Sequence, residues 1–186
     1  MLTKYPLTLI TGLALSLCSF FSQAAAVPYE IIQNTNTSIG TKRIRANITI
    51  LAPTANDKSS RADTVNHAIE DTVKKTQAAV VTALLIPSKD LLGAGAALAK
   101  GEFYADGCGP SGAQCDGVKL RISASDVKLS AQSLRIWEQS VKSANELAER
   151  GVFEDEKVTA DVAKKLKIKA SEVDVPYIEL ESVTTE

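Results

Sequence analysis

Lys42–Leu51 (KRIRANITIL), Ser60–Gln77 (SRADTVNHAIEDTVKKTQ) and Ala78–Ile86 (AAVVTALLI) decide the fold. In the first stretch Ile44, Ala46, Ile48 and Ile50 recur at every second position, with Arg43, Arg45, Asn47 and Thr49 between them. Period two with one polar face predicts a half-exposed strand. Pro53 and the polar run Thr54–Ser59 end it. The second stretch has a helical period. Val65, Ile69, Thr72, Val73 and Thr76 form a stripe, and Arg61, Glu70, Asp71, Lys74 and Lys75 are expected in water. Ser60 with Asp63 three residues on suggests the capping box that starts this helix. The third stretch is apolar throughout, rich in β-branched residues and stopped by Pro87, which predicts a buried central strand. Strand, helix and strand in that order make one crossover unit over residues 42–86, right-handed if the two strands are parallel.

Outward from this unit, Leu91–Ala105 fits either a short helix or a glycine-loosened strand. The alternation of Ala97, Ala99, Gly101, Phe103 and Ala105 with Lys100, Glu102 and Asp106 favours a strand over 97–105. Val118, Leu120 and Ile122 alternate with Lys119, Arg121 and Ser123, and the two strands read as a β-hairpin. Ser130–Arg150 is the longest helix, with Ser130 as N-cap, Gly151 past its end, and Leu134, Trp137, Val141, Ala144 and Ala148 at helical spacing. Trp137, the sole tryptophan, is expected as a core anchor. Glu154–Glu156 reads as an acidic link, Thr159–Ile168 as a short helix, and Val175–Leu180 as a last strand or docked tail. The predicted architecture is α+β: a small mixed sheet of about four or five strands, two longer helices on one face and a short C-terminal helix. Residues 42–186 are expected to form one domain, preceded over 27–41 by a polar, extended arm.

The first 26 residues read as an address. Lys4 gives a positive start, Leu7–Phe21 is an uncharged apolar run of 15 residues, and Ala24-Ala25-Ala26 offers a small-residue cleavage site. The run is shorter than the ~20 residues of a spanning helix. A secretory signal cut after Ala26 is therefore expected, with cleavage after Ala24 the close alternative, and a periplasmic or secreted protein. Cys18 follows Leu17 rather than a small residue, which argues against lipid attachment. Of three cysteines, Cys108 and Cys115 would then remain, flanking six residues in DGCGPSGAQCDG. An even pair in an oxidising compartment predicts a disulfide. No histidine stands near enough to make a zinc site, and the spacing is not that of a redox C-x-x-C pair.

The chain holds 21 Lys+Arg against 22 Asp+Glu, and loss of Lys4 takes the net charge from −1 to −2. That balance gives no basic footprint for nucleic acid. His67, the one histidine, has Asp63 and Asp71 four residues to either side, a pattern for a weak cation site or for a solvated histidine. Gly109-Pro110-Ser111-Gly112 lacks the context of a nucleophile elbow. Gly93-Ala94-Gly95 begins like a dinucleotide loop but has Leu98 where the third glycine belongs. No cofactor or metal is expected. The leading expectation is a non-catalytic protein-interaction module of the bacterial envelope, its partner another envelope or secreted protein. Its candidate surface is Tyr104, Asp106, Pro110, Ser111 and Gln114 around the disulfide. A periplasmic small-ligand-binding or inhibitory protein is the alternative. A carboxylate-dependent hydrolase is the third reading.

Several segments carry a family resemblance: Ala52-Pro53-Thr54, Arg61-Ala62-Asp63-Thr64-Val65, Tyr104-Ala105-Asp106-Gly107 with Gly109, Ala163-Lys164-Lys165-Leu166, and Val175-Pro176-Tyr177-Ile178. In that order they resemble a group of small bacterial proteins classed as a domain of unknown function. The resemblance spans about Lys42–Glu181, implies no activity, and makes the cysteine pair in the turn a departure suited to an oxidising compartment.

Overall fold

The computed structural model describes residues 25–40, 43–113 and 115–183. Residues 1–24, most of the expected signal peptide over 1–26, and Gln114 lie outside them. Among the described residues six strands form one sheet in chain order: β1 (Glu30–Asn36), β2 (Arg45–Leu51), β3 (Val80–Ile86), β4 (Ala99–Tyr104), β5 (Leu120–Ala124) and β6 (Glu181–Val183). Only β2 and β3 are parallel, joined through α1 (Lys58–Thr76); every other neighbour is antiparallel. The fold is the expected α+β, with six strands instead of four or five. The additional strands lie at the edges. The polar arm contains β1, which hairpins onto β2 with an irregular register between Ile31 and Gln33 that breaks its side-chain alternation. β6 is only three residues long and follows the segment 175–180, which has no regular structure.

Alternation decides the two faces. Ala46, Ile48 and Ile50 of β2, Val81, Ala83 and Leu85 of β3, Ala99 of β4 and Ile122 and Ala124 of β5 form the core. Ala62, Val65, Ala68 and Ile69 of α1 complete it. Gly101 lies in β4 beneath α1, and a Cβ there would stand 2.5 Å from Val65 Cγ1 and 2.6 Å from Ile69 Cδ1. A glycine inside a strand here permits the close approach of helix and sheet. On the other face Asn47, Thr82, Glu102 and Arg121 stand in register, a polar row crossing four strands. β3, expected to be wholly buried, is half-exposed at Thr82 and Leu84 on that side.

α1 begins earlier than its sequence suggests. Asp57 is the N-cap: its Oδ1 accepts from Ser60 N at 2.7 Å, and Ser60 Oγ accepts from Asp57 N at 3.3 Å. Ser60 thus closes the capping box from inside the helix. Arg61, expected in water, is 3 % exposed. Its Nε donates to Ala55 O at 3.1 Å, its Nη1 to Ser125 O at 2.5 Å and its Nη2 to Val127 O at 2.8 Å. A helix residue thereby joins the loop after β2 to the chain leaving β5. Burial lowers its pKa, opposed by the nearby Asp126 and Asp57 charges.

α2 (Ala131–Ala148) starts at the expected Ser130 cap, whose Oγ accepts from Ser133 N at 3.0 Å. Trp137 is buried with Leu91 and Ala96, so it anchors a second, smaller core beyond the 3-10 turn Lys89–Leu91. Leu129 and Ile178 touch both cores and join them. No helix among the described residues is long and apolar enough to cross a membrane. α3 (Asp155–Leu166) packs on α2 and includes part of the acidic stretch read as a link. Asp155 and Glu156 occupy its first turn and Lys164 and Lys165 its last, the arrangement the helix dipole favours.

Lys165 joins the two helices, with Nζ 2.6 Å from Glu146 Oε2 and 2.7 Å from Asp161 Oδ2. Hydrogen bonding to Lys165 holds both carboxyls below their ordinary range, and the same contacts raise Lys165. A lowered carboxyl pKa stabilises the fold above the ordinary carboxylate range, and that contribution disappears as pH falls through the folded value. Thermal unfolding of the wild type should therefore weaken from about pH 5 downward more steeply than that of a Glu146→Gln/Asp161→Asn variant. Parallel pH profiles for the two proteins would show that the trio does not couple the helices.

Candidate functional site

The hairpin β4–β5 ends in the loop 105–119, and local sequence explains its path. Asp106 Oδ1 accepts from Cys108 N at 3.0 Å, and Asp116 Oδ1 from Val118 N at 3.0 Å. Each aspartate turns its own backbone two residues on. Gly107 (φ 65°) lies so close to Gly117 that a Cβ would meet the Gly117 backbone at 2.8 Å. Between these turns Cys108 and Cys115 form the expected disulfide.

Two arginines from outside the loop clamp it. Arg43, in the β1–β2 connection, donates from Nη1 to Asp106 Oδ2 at 2.8 Å and from Nη2 to Asp106 Oδ1 at 3.3 Å. Its Nη2 also donates to Gly109 O at 2.6 Å. This two-pronged geometry is the one a planar guanidinium supplies and a lysine does not. Gly112 (φ 75°) leaves room for it, since a Cβ there would stand 2.0 Å from Arg43 Nη1. Arg121 of β5 pairs with Asp116, and its guanidinium lies 5.6 Å from the centre of the Tyr104 ring. The loop is thus fixed by one covalent and two ionic ties.

The predicted surface residues separate accordingly. Tyr104 is not on the surface: it is 2 % exposed, on the helix-free face of the sheet beside Arg121. Burial first, then the neighbouring Glu102 charge, raises its hydroxyl pKa. Asp106 is exposed but engaged by Arg43. Pro110 and Ser111 are exposed and line a cleft of about 310 Å³ with Asp116 and Arg121. Arg43 and Arg121 are the residues holding the loop that sequence reasoning missed. Their polar positions in the alternating stretches 42–51 and 118–123 could have flagged them as partners for the two loop aspartates.

Elsewhere, His67 Nδ1 lies 4.0 Å from the Asp71 carboxylate, which accepts the Tyr29 hydroxyl at 2.8 Å. No group of three or more metal-binding side chains occurs among the described residues. A crevice of about 320 Å³ opens at the carboxyl ends of β2 and β3, lined by Ala52, Ala55, Ile86, Leu98 and Leu129, with Lys128 also in its lining. Arg61 lines it too, but its guanidinium is committed to backbone carbonyls.

Closing so short a ring removes little chain entropy, about 2 kcal/mol in the loop-closure account. A Cys108→Ser/Cys115→Ser variant should lose about that much stability in urea unfolding. Hydrogen exchange should rise over 106–117 and stay unchanged in β2 and β3. Loss of protection throughout the sheet would show instead that the disulfide holds the whole fold.

No curated protein matches the chain. Among solved structures, the crystal structure of a DUF487 family protein from Desulfovibrio piger is similar, at 23 % identity and a TM-score of 0.66 over 87 % of this chain and 97 % of that one. At that identity the likeness concerns the fold. The profile of the family described as Domain of unknown function (DUF4875) matches residues 24–178, reaching further toward the amino terminus than the segments that first suggested a family and taking in β1. With most of its length matched, the chain belongs to the DUF4875 family.

Proposed function

We propose that the chain is exported from a bacterial cell, to the periplasm or beyond, and acts there as a non-catalytic module that binds another envelope or secreted protein. The observation that carries this reading is the construction of loop 106–117. Pro110 and Ser111 stand in solvent on a loop held by a disulfide and by the Arg43–Asp106 and Arg121–Asp116 pairs. A loop fixed in advance loses little conformational freedom on binding, so more of its contact energy appears as affinity. Export is supported by Lys4, the apolar run and Ala24–Ala26, and by a disulfide, which persists in oxidising compartments.

A second reading, a small ligand held by the protein, is favoured by the apolar crevice at the carboxyl ends of β2 and β3. Lys128 would supply its charged contact. Ligands of open α/β sheets commonly occupy that end of parallel strands.

A photoreactive amino acid in place of Ser111 separates the two readings in living cells. The interaction module predicts an adduct with one exported protein, absent when the same probe replaces exposed Glu70 on α1. The adduct should also be lost in the Cys108→Ser/Cys115→Ser background. No adduct at 111, or equal adducts at both positions, would contradict the module and leave the crevice as the site.

A further inference from the structure

The arm that leads into β1 is fixed to α1 at two points. The Val27 N–H donates to Thr64 Oγ1 at 3.1 Å. Thr64 is fully buried, and its hydroxyl in turn donates to Ser60 O at 2.6 Å. Two residues on, the Tyr29 hydroxyl donates to Asp71 Oδ2 at 2.8 Å, and its ring stands edge-on to His67 with centres 6.0 Å apart. Val27 and Tyr29 both pack against the main core, whereas Ala25 and Ala26 are exposed. The chain therefore enters the body of the protein at the Ala26–Val27 bond. That is the bond which the small residues Ala24-Ala25-Ala26 mark for cleavage.

One group on the same turn of α1 is unexplained. Asp63, the residue before Thr64 on α1, has its Oδ2 buried without a hydrogen-bond partner among the described residues. A buried carboxylate oxygen left in that condition is costly. In the uncut chain Val27 brings a neutral amide with a single hydrogen, and Thr64 takes it. In a chain that begins at Val27 the same nitrogen is an ammonium with three hydrogens and a positive charge. One hydrogen serves Thr64, and two remain for the carboxylate and for water.

We propose that Val27 is the amino terminus of the working protein and that its ammonium is seated on Thr64 with Asp63 as counter-ion. Removal of the leader then adds to the folded domain an ion pair that the precursor lacks. The proposal rests on the export reading and deepens it, because the cut bond and the seat for the new terminus coincide. The other titratable groups here are Tyr29 and Glu30 on the arm and Asp57, Lys58, Arg61, His67, Glu70 and Asp71 at the start of α1. Glu30 pairs with Lys89, Glu70 with Lys74, Asp57 caps the helix, and Arg61 is committed to backbone carbonyls. Asp71 is engaged by the Tyr29 hydroxyl, so Asp63 is the carboxylate left for the ammonium.

The test compares a chain that starts at Val27, released from a fusion that leaves no extra residue, with one that starts at Ala25, each with and without Asp63→Asn. The α-amine of the Val27 chain should titrate above the ordinary range of about 7.7–8.0 when followed by NMR. The Val27 chain should also resist urea better than the Ala25 chain. Because the amine pKa is raised, this gain is full below about pH 7.7 while Asp63 is ionised, and is lost as pH rises through the folded value of the amine or falls through that of the Asp63 carboxyl, which burial raises. Asp63→Asn should abolish both effects. An amine that titrates in the ordinary range, or a difference in urea that survives Asp63→Asn, overturns the proposal. The intact mass of protein recovered from exporting cells tests the underlying reading separately. A terminus other than Val27 overturns the seat and leaves export standing, whereas retention of residues 1–26 overturns both.

Discussion

The buried guanidinium of Arg61 is the constraint on which the rest of this structure depends. A charge withdrawn from water is tolerated only when its hydrogens are matched. Arg61 finds its partners in the backbone, at Ala55, Ser125 and Val127. Those carbonyls belong to the connection into α1 and to the connection out of β5. Without the arginine they would lack these donors at a point where the chain must change direction. With it, the first turn of α1, the end of the β2–α1 crossover and the approach to α2 are fixed relative to one another. The crevice at the carboxyl ends of β2 and β3 takes its shape from the same contacts.

From this centre the architecture extends in two directions. Toward α2, Leu129 and Ile178 bridge the main core to the Trp137 cluster, and Lys165 ties α3 to α2. Toward the far end of the sheet, the hairpin β4–β5 carries its loop beyond the residues of the main core. Local chemistry replaces the core there: a disulfide and two Arg–Asp pairs. Exposed ion pairs contribute little to stability. Their effect here is to fix the shape of a surface loop, and that is the property a recognition element needs.

What was legible in the sequence follows from the range of each interaction. The alternation in β2, the apolar run of β3, the stripe of α1 and the Ser130 cap are local patterns, and each was readable. The pairing of Cys108 with Cys115 followed from their count and the expected compartment. β1 escaped because its register irregularity interrupts the period and its residues are mostly polar. β6 escaped because three residues carry no period. Ser60 with Asp63 satisfied the capping pattern as well as Asp57 with Ser60 does, so only geometry could choose between them. Arg61 was misread as solvated because its partners Ser125 and Val127 lie 64 and 66 residues away and are backbone atoms, which no side-chain pattern reports. Tyr104 was misread as exposed because Arg121, on the next strand, lies against it.

The most direct test of this account is native-state hydrogen exchange of Arg61→Lys beside the wild type, with urea unfolding of both. A lysine keeps the charge but cannot reach three divergent carbonyls from one planar group. The account predicts a loss of about 2–4 kcal/mol, with protection falling together in the first turn of α1, the loop after β2 and residues 124–129. Stability within about 0.5 kcal/mol of the wild type, or loss of protection confined to α1 alone, would contradict it.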